Sequence, residues 1–136
     1  MRATVFDSSA VLALLLEQPG ADVVENLLAK ASESDRAILI GAVNWAEVLS
    51  VIARKHGDSG LAHARRFENT MPVEISPVDQ EQAELAATLK NEAGLGLADA
   101  FAAALAKLRK ADLVTGDLEF KPLEKEIKIH WLAQKP

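Results

Sequence analysis

The stretch Arg2-Ala3-Thr4-Val5-Phe6-Asp7-Ser8-Ser9 decides the class of fold, because an apolar strand in it stops at an acid and passes directly into a helix. Residues 2–6 have the short apolar pattern of a buried strand. Ser8 or Ser9 can cap the helix that follows, which we expect to run to about Glu17.

The same alternation of strand and helix continues to the end of the chain. It predicts an α/β sandwich built on a mostly parallel sheet. In such sheets ligands collect at the carboxyl ends of the strands, where both Asp7 and Asp117 are expected. Further strands are predicted at 37–40, 73–75, 111–115 and 127–131, and further helices at 21–31, 44–56 with Asn44 as its cap, 58–69, 79–93 and 97–109.

Length and composition exclude several classes of protein. The 136 residues fit a single domain over 1–136, and the absence of cysteine excludes disulfides, thiolate zinc sites and a cysteine nucleophile. The longest apolar run, residues 10–16, is too short to cross a bilayer, and no clean signal-peptide cleavage site follows it. We therefore expect a cytoplasmic protein with no membrane partner. The net charge of −5 gives no global attraction to nucleic acid, so a polyanionic substrate would need metal ions and a local basic patch.

Four acids stand in apolar or turn contexts rather than in charged runs: Asp7, Glu47, Asp99 and Asp117. Isolated carboxylates in hydrophobic segments are costly unless they are paired, hydrogen-bonded or bound to a metal. With no cysteine and little histidine in the chain, they suggest a site for a hard divalent cation that is built from oxygen ligands alone.

Each acid also has a purely structural interpretation. Asp7 can be a helix cap, Asp99 can complement the dipole of its helix, and Asp117 is unremarkable in a turn. Glu47 points away from the apolar stripe of its helix, so the pattern by itself favours a solvated face. Glu119 can be a fifth, peripheral acid, although solvent exposure is the simpler interpretation.

Other chemistries lack support in the sequence. The three histidines have no zinc-site spacing, and Ser8 and Ser9 lie outside any G-x-S-x-G context. There is no G-x-G-x-x-G or Walker sequence, so dinucleotide and P-loop chemistry are not indicated.

Four sequence blocks together resemble a known family. They are Val5-Phe6-Asp7-Ser8-Ser9-Ala10, Val43-Asn44-Trp45-Ala46-Glu47-Val48-Leu49, Gly94-Leu95-Gly96-Leu97-Ala98-Asp99-Ala100 and Val114-Thr115-Gly116-Asp117-Leu118-Glu119-Phe120. Each block alone is weak, but their order and spacing in a chain of this length are specific. The chain resembles PIN-domain ribonucleases, and in particular VapC-type toxins of toxin–antitoxin pairs.

The resemblance implies a three-layer α/β/α fold around a parallel sheet of four or five strands, and a Mg²⁺- or Mn²⁺-dependent endoribonuclease. The family's acidic cluster maps onto Asp7, Glu47, Asp99 and Asp117, and its hydroxyl onto Thr115. We expect cleavage of RNA by a metal-activated water, which leaves 5′-phosphate and 3′-hydroxyl ends.

The resemblance also implies partners. These are an RNA substrate, a VapB-like antitoxin whose C-terminal segment blocks the site, and a second copy of the chain in a homodimer. Two positions depart from the family pattern, because Gly96 replaces a small polar residue and Glu119 replaces a basic or neutral one. An acid at position 119 adds negative charge, so we expect it to affect metal occupancy or to repel the RNA backbone.

Alternative functions remain open at this point. One is a PIN nuclease of RNA processing outside a toxin–antitoxin pair, and another is a catalytically silent PIN module that only binds. A phosphoacceptor receiver domain is a third, although Ser8-Ser9 stands where it needs an acidic pair and residues 73–77 offer no acceptor aspartate.

Overall fold

A five-stranded sheet with helices on both faces forms the centre of the protein, which is described by a computed structural model over residues 2–132. The elements in chain order are β1 (Thr4–Phe6), α1 (Ser8–Leu15), α2 (Ala21–Glu33), β2 (Ile38–Gly41), α3 (Ala42–Thr70), β3 (Val73–Ser76), α4 (Gln80–Ala93), α5 (Leu97–Arg109), β4 (Asp112–Thr115), a 3₁₀ helix (Leu118–Leu123) and β5 (Ile129–Trp131).

All neighbouring strands run parallel, in the order β3-β2-β1-β4-β5. Val5 of β1 lies between Leu39 of β2 and Leu113 of β4. The mostly parallel sheet predicted from the alternating pattern is confirmed. A receiver domain has the strand order 2-1-3-4-5, so this order excludes that alternative.

Side chains alternate between the two faces of the sheet and build a core on each. Val5 and Leu113 belong to a core with the alanines of α5, whereas Phe6 and Val114 belong to a core with α1, α2 and α3. Residues 102–106 of α5 are buried, and the four alanines among them allow a neighbouring element to approach this helix closely. The three-layer α/β/α arrangement is therefore confirmed.

The helix α3 consists of two arms, 42–56 and 58–70, that fold back on each other at Gly57. Gly57 has φ +59° and ψ −148°, which is not helical. Trp45 and Phe67 stack with ring centroids 6.3 Å apart, although a straight helix would separate positions 45 and 67 by about 33 Å. Two helices were predicted here, and two helical arms are found, separated by Gly57.

The prediction for the start of α3 was wrong. The helix begins at Ala42 with Gly41 as its cap residue, so Asn44 lies inside the first turn and is buried. Elsewhere the differences are small, since α1 ends at Leu15 and β5 begins at Ile129. Within residues 2–132, no helix combines the length and the apolar character that crossing a membrane requires.

Candidate active site

A cleft of about 360 Å³ opens at the carboxyl ends of β1 and β4, on the edge of the sheet where the sequence predicts ligands. All four predicted acids line it. Thr115, the predicted hydroxyl, lies beneath it and is fully buried. The lining residues are Asp7, Ser8, Ser9, Leu12, Glu47, Val51, Gly96, Leu97, Ala98, Asp99, Asp117 and Glu119.

Asp7 caps α1 and faces the cleft with the same carboxylate. Its Oδ1 accepts a hydrogen bond from the Ala10 backbone N–H at 2.9 Å and one from Ser9 Oγ at 2.7 Å. Its Oδ2 accepts from Thr115 Oγ1 at 2.6 Å. The prediction that Ser8 or Ser9 caps this helix was wrong, because both residues follow the cap. A carboxylate has about four acceptor positions, so the cap does not exhaust its capacity.

Thr115 and Ser9 connect the end of β1 to the end of β4. Thr115 Oγ1 donates to Asp7 and accepts from the Asp117 backbone N–H at 2.9 Å. Ser9 Oγ donates to Asp7 and accepts from the Gly116 backbone N–H at 3.0 Å. Each hydroxyl therefore points its hydrogen at Asp7, and this arrangement fixes the carboxylate in place.

The tightest acidic cluster consists of Asp99, Asp117 and Glu119, which bring one carboxylate oxygen each within 4.8 Å of the others. Asp99 lies in the first turn of α5. Asp117 caps the 3₁₀ helix by accepting from the Glu119 backbone N–H at 2.9 Å. The turn after β4 thereby directs both of its acids toward α5.

Glu119 is the acid that sequence reasoning weighted too lightly. It is exposed, as expected, yet it belongs to the tight cluster. Its spacing of two residues from Asp117, in the turn after a strand, was the available signal. Glu47 is also exposed and lines the cleft from α3, outside that cluster. Glu47 is thus solvated, as the helical pattern indicates, and it lines the same cleft as the other acids.

Burial and mutual repulsion raise the pKa of two acids of the cleft, Asp7 and Asp99. Burial raises the pKa of Asp7 to about 6, against the opposing effect of the hydrogen bonds from Thr115, Ser9 and Ala10. Burial also raises the pKa of Asp99, to about 9. Asp117 adds to this increase through a hydrogen bond and through its charge, Glu119 through a hydrogen bond, and Asp7 through its charge.

The donor set fits a hard divalent cation. In the described part of the chain, the polar side chains that line the cleft are carboxylates and hydroxyls, beside several apolar ones, and no Lys, Arg or His is among the lining residues. Oxygen donors of this kind suit Mg²⁺ and Mn²⁺, whereas softer metals prefer sulfur and imidazole. A cation here would neutralise charge that no side chain in the cleft neutralises.

Comparison with known proteins places these features in a family. The sequence model of the PIN domain matches residues 4–126. Over 111 residues the chain is 28% identical to a ribonuclease VapC from Mycolicibacterium smegmatis, which covers 76% of this chain and 83% of the relative.

Two solved structures show the same fold at low identity. VapBC2 from Rickettsia felis, bound to a DNA fragment from its promoter, has a TM-score of 0.80 and 18% identity, and covers 96% of this chain and 99% of that chain. DNA-bound VapBC from Salmonella typhimurium has a TM-score of 0.78 and 18% identity, and covers 96% of this chain and 98% of that chain. Since the family match spans most of the chain and includes every acid of the cleft, the protein belongs to the PIN-domain family.

Proposed function

We propose that this protein is a Mg²⁺- or Mn²⁺-dependent endoribonuclease that acts as the toxin of a toxin–antitoxin pair. The observation that carries the proposal is the clustering of carboxylates in one cleft, where no Lys, Arg or His is among the described lining residues. The 28% identity to a protein named ribonuclease VapC supports the choice of RNA as substrate and the toxin role. An RNA substrate in turn implies action in the cytoplasm.

In this proposal Asp7, Asp99 and Asp117 hold the cation, and Glu47 contributes directly or through water. Thr115 orients Asp7, because its hydroxyl hydrogen points at the Asp7 carboxylate. A bound Mg²⁺ or Mn²⁺ supplies Lewis acidity, which lowers the pKa of a water and neutralises charge on the phosphodiester. Asp99 gives up the proton that its raised pKa retains when the cation enters. The chain itself needs no nucleophile.

The enzymatic part of this proposal is tested by comparing metal-dependent RNA cleavage by the wild type and by single-residue variants. Asp7→Asn and Asp99→Asn should abolish cleavage while circular dichroism shows an intact fold, since Asn caps α1 about as well as Asp, and Asp99 is not the cap residue of α5. Total bacterial RNA with Mn²⁺, read by ligation that requires a 5′-phosphate, gives the cut sites. Glu81→Gln is the control, because Glu81 is likewise an acid in the first turn of its helix but lies outside the cleft. Full activity in both aspartate variants would contradict the site assignment.

Growth of the producing cell tests the toxin role. Expression of the wild-type chain should arrest growth, and co-expression of a small protein encoded next to it should reverse the arrest. An antitoxin that places an Arg or Lys among the carboxylates would fit the charge of this cleft. Cleavage without toxicity would favour the alternative of a PIN nuclease in RNA processing. If the wild-type protein binds no Mn²⁺, the alternative of a catalytically silent PIN module that only binds would be favoured.

Self-association is the remaining part of the proposal. We propose a homodimer by analogy with VapC-type proteins. Light scattering of the purified chain at micromolar concentration, without antitoxin, should give twice the chain mass. A monomeric mass would contradict the homodimer and leave the nuclease proposal intact.

A further inference from the structure

A buried amide connects the three helices that carry Asp7, Glu47 and Asp99. Asn44 is 0% exposed. Its Nδ2 donates to Ser8 Oγ of α1 at 3.2 Å and to the backbone carbonyl of Ala98 in α5 at 3.1 Å. Ser8 Oγ in turn donates to the Asn44 backbone carbonyl at 3.3 Å, so α1 and α3 exchange two hydrogen bonds.

Each end of this connection is next to an acid of the cleft. Ser8 directly follows Asp7, and Ala98 directly precedes Asp99. Glu47 stands three residues after Asn44, which is one turn further along α3 and on the same side of the helix. A displacement of the amide would therefore move the backbone beside two of the acids and the helix that carries the third.

Stability alone does not explain an asparagine at this position. Asn44 Oδ1 has no hydrogen-bond partner among the described residues. A buried acceptor without a partner costs about 1–3 kcal/mol, a cost that an apolar side chain of similar size would avoid. Leucine, an apolar side chain of similar size, has no hydrogen-bond donor and so could not join α1 to α5 as the Asn44 amide N–H groups do.

We propose that Asn44 is a positioning residue, which sets the separation of Asp7, Glu47 and Asp99 and thereby the affinity of the cleft for a divalent cation. The inference rests on the proposed function, because it concerns the same cleft. Groups that orient metal ligands, without touching the metal, typically change metal affinity or activity by about 10- to 100-fold when they are removed.

Asn44→Leu and Gln82→Met form the matched pair that tests this role. Gln82 is 3% exposed, and its Nε2 donates to the Phe101 backbone carbonyl of the same helix α5 at 3.1 Å, away from the cleft. Both substitutions remove a buried amide that donates to a backbone carbonyl of α5. The melting temperature of each variant is measured so that Mn²⁺ binding is compared between folded proteins. Titration with Mn²⁺ alone should give a Kd raised about 10- to 100-fold for Asn44→Leu. For Gln82→Met the Kd should stay within about twofold of wild type.

Gly41→Ala is a second, independent probe that leaves Asn44 itself in place. An alanine Cβ at this position would lie 3.1 Å from Asn44 Oδ1, which is tight enough to push the amide. The backbone of Gly41, with φ −65° and ψ 148°, accepts alanine. We expect weaker Mn²⁺ binding in the same direction as for Asn44→Leu. If Asn44→Leu does not fold, Gly41→Ala still tests whether the position of the Asn44 amide affects Mn²⁺ binding.

Cleavage kinetics separate positioning from general damage. Cleavage is measured well below the metal-free melting temperature of each variant, because Mn²⁺ also stabilises the folded chain. Under those conditions, raising the Mn²⁺ concentration should restore much of the RNA cleavage that Asn44→Leu loses. Two results would overturn the positioning role. One is an equal loss of Mn²⁺ affinity in Asn44→Leu and Gln82→Met. The other is an unchanged affinity in both Asn44→Leu and Gly41→Ala. A wild type that binds no Mn²⁺ would overturn the proposed function first.

Discussion

Asp7 shows how one side chain satisfies a structural and a chemical requirement together. It is 1% exposed and accepts three hydrogen bonds, yet its pKa is raised to about 6 because burial outweighs those bonds. A carboxylate in this state is held in one orientation and can gain or lose a proton near neutral pH, which suits the metal-ligand role proposed for it. The structural interpretation of Asp7 and the functional one are thus compatible.

Loss of the Thr115 hydroxyl should raise the pKa of Asp7 further, since that hydrogen bond lowers it. In Thr115→Val the pH midpoint of Mn²⁺-dependent cleavage should therefore move upward. Stability should also fall by about 1–3 kcal/mol, because the Asp117 backbone N–H loses its acceptor. A pH–rate profile and urea unfolding measure the two effects. Thr88→Val is the control, since Thr88 is exposed on α4 and bonds only within its own helix. An unchanged midpoint would contradict the proposed role of Thr115.

Asp99→Asn should stabilise the metal-free protein at alkaline pH. The pKa of Asp99 is about 9 in the folded chain and about 4 when unfolded, so the folded state retains a proton that the unfolded state releases. Stability is therefore lost as pH rises from about 4 through about 9, and asparagine removes that loss. After allowance for screening by solvent, we expect a gain of about 1–3 kcal/mol at pH 8 in chelator and little difference near pH 4. Urea unfolding at both pH values measures it. A gain that is equal at the two pH values would point to a cause other than ionisation.

The fold-back of α3 depends on two glycines. Gly57 has a backbone conformation that L side chains rarely adopt. Gly60 lies where a Cβ would approach His56 Cβ to 2.6 Å and Ile52 Cγ2 to 2.9 Å. The first glycine permits the reversal of direction, and the second permits the close approach of the two arms.

Gly57→Ala should destabilise the fold by about 1–3 kcal/mol, which is the typical cost of a side chain in such a backbone conformation. Gly96→Ala is a matched control for stability, since Gly96 has φ −65° and open space where the Cβ would be. Because Gly96 is the cap residue of α5 and alanine is a poorer cap than glycine, its effect should be smaller but not zero, at about 0.5–1 kcal/mol. Chemical denaturation of both variants in chelator measures the difference. Equal stability of the two would show that Gly57 can relax into an ordinary helical conformation.

Metal binding and overall stability should be coupled through pH. A cation that binds only the folded chain raises its melting temperature, and here it must displace protons held by Asp7 and Asp99. The increase caused by Mn²⁺ should therefore be small near pH 5.5 and larger near pH 8.5, since the two pKa values are about 6 and about 9. Differential scanning fluorimetry with Mn²⁺ and with EDTA tests this. A Mn²⁺ effect that is independent of pH would contradict a site that contains both acids.

Local pattern determined a large part of the architecture. Strands such as Thr4–Phe6 and Asp112–Thr115 are short apolar runs that end in turn residues, and their alternation with amphipathic helices permits few arrangements other than a parallel sheet. The acids at the ends of these strands could be assigned to the same edge for that reason. Family resemblance was needed for Glu47, because its helical face is indistinguishable from an ordinary solvated one.

The sequence by itself determined the α/β class, the parallel sheet and the edge where the acids lie, because periodicity and turn residues act over a few neighbouring positions. Only the tertiary structure decided the neighbours of each side chain. The order β3-β2-β1-β4-β5 sets β4 beside β1 and so brings Thr115 to Asp7, and the turn after β4 brings Glu119 to Asp99. Asn44 was misjudged for the same reason: its bonds to Ser8 and Ala98 exist only after three helices have packed together.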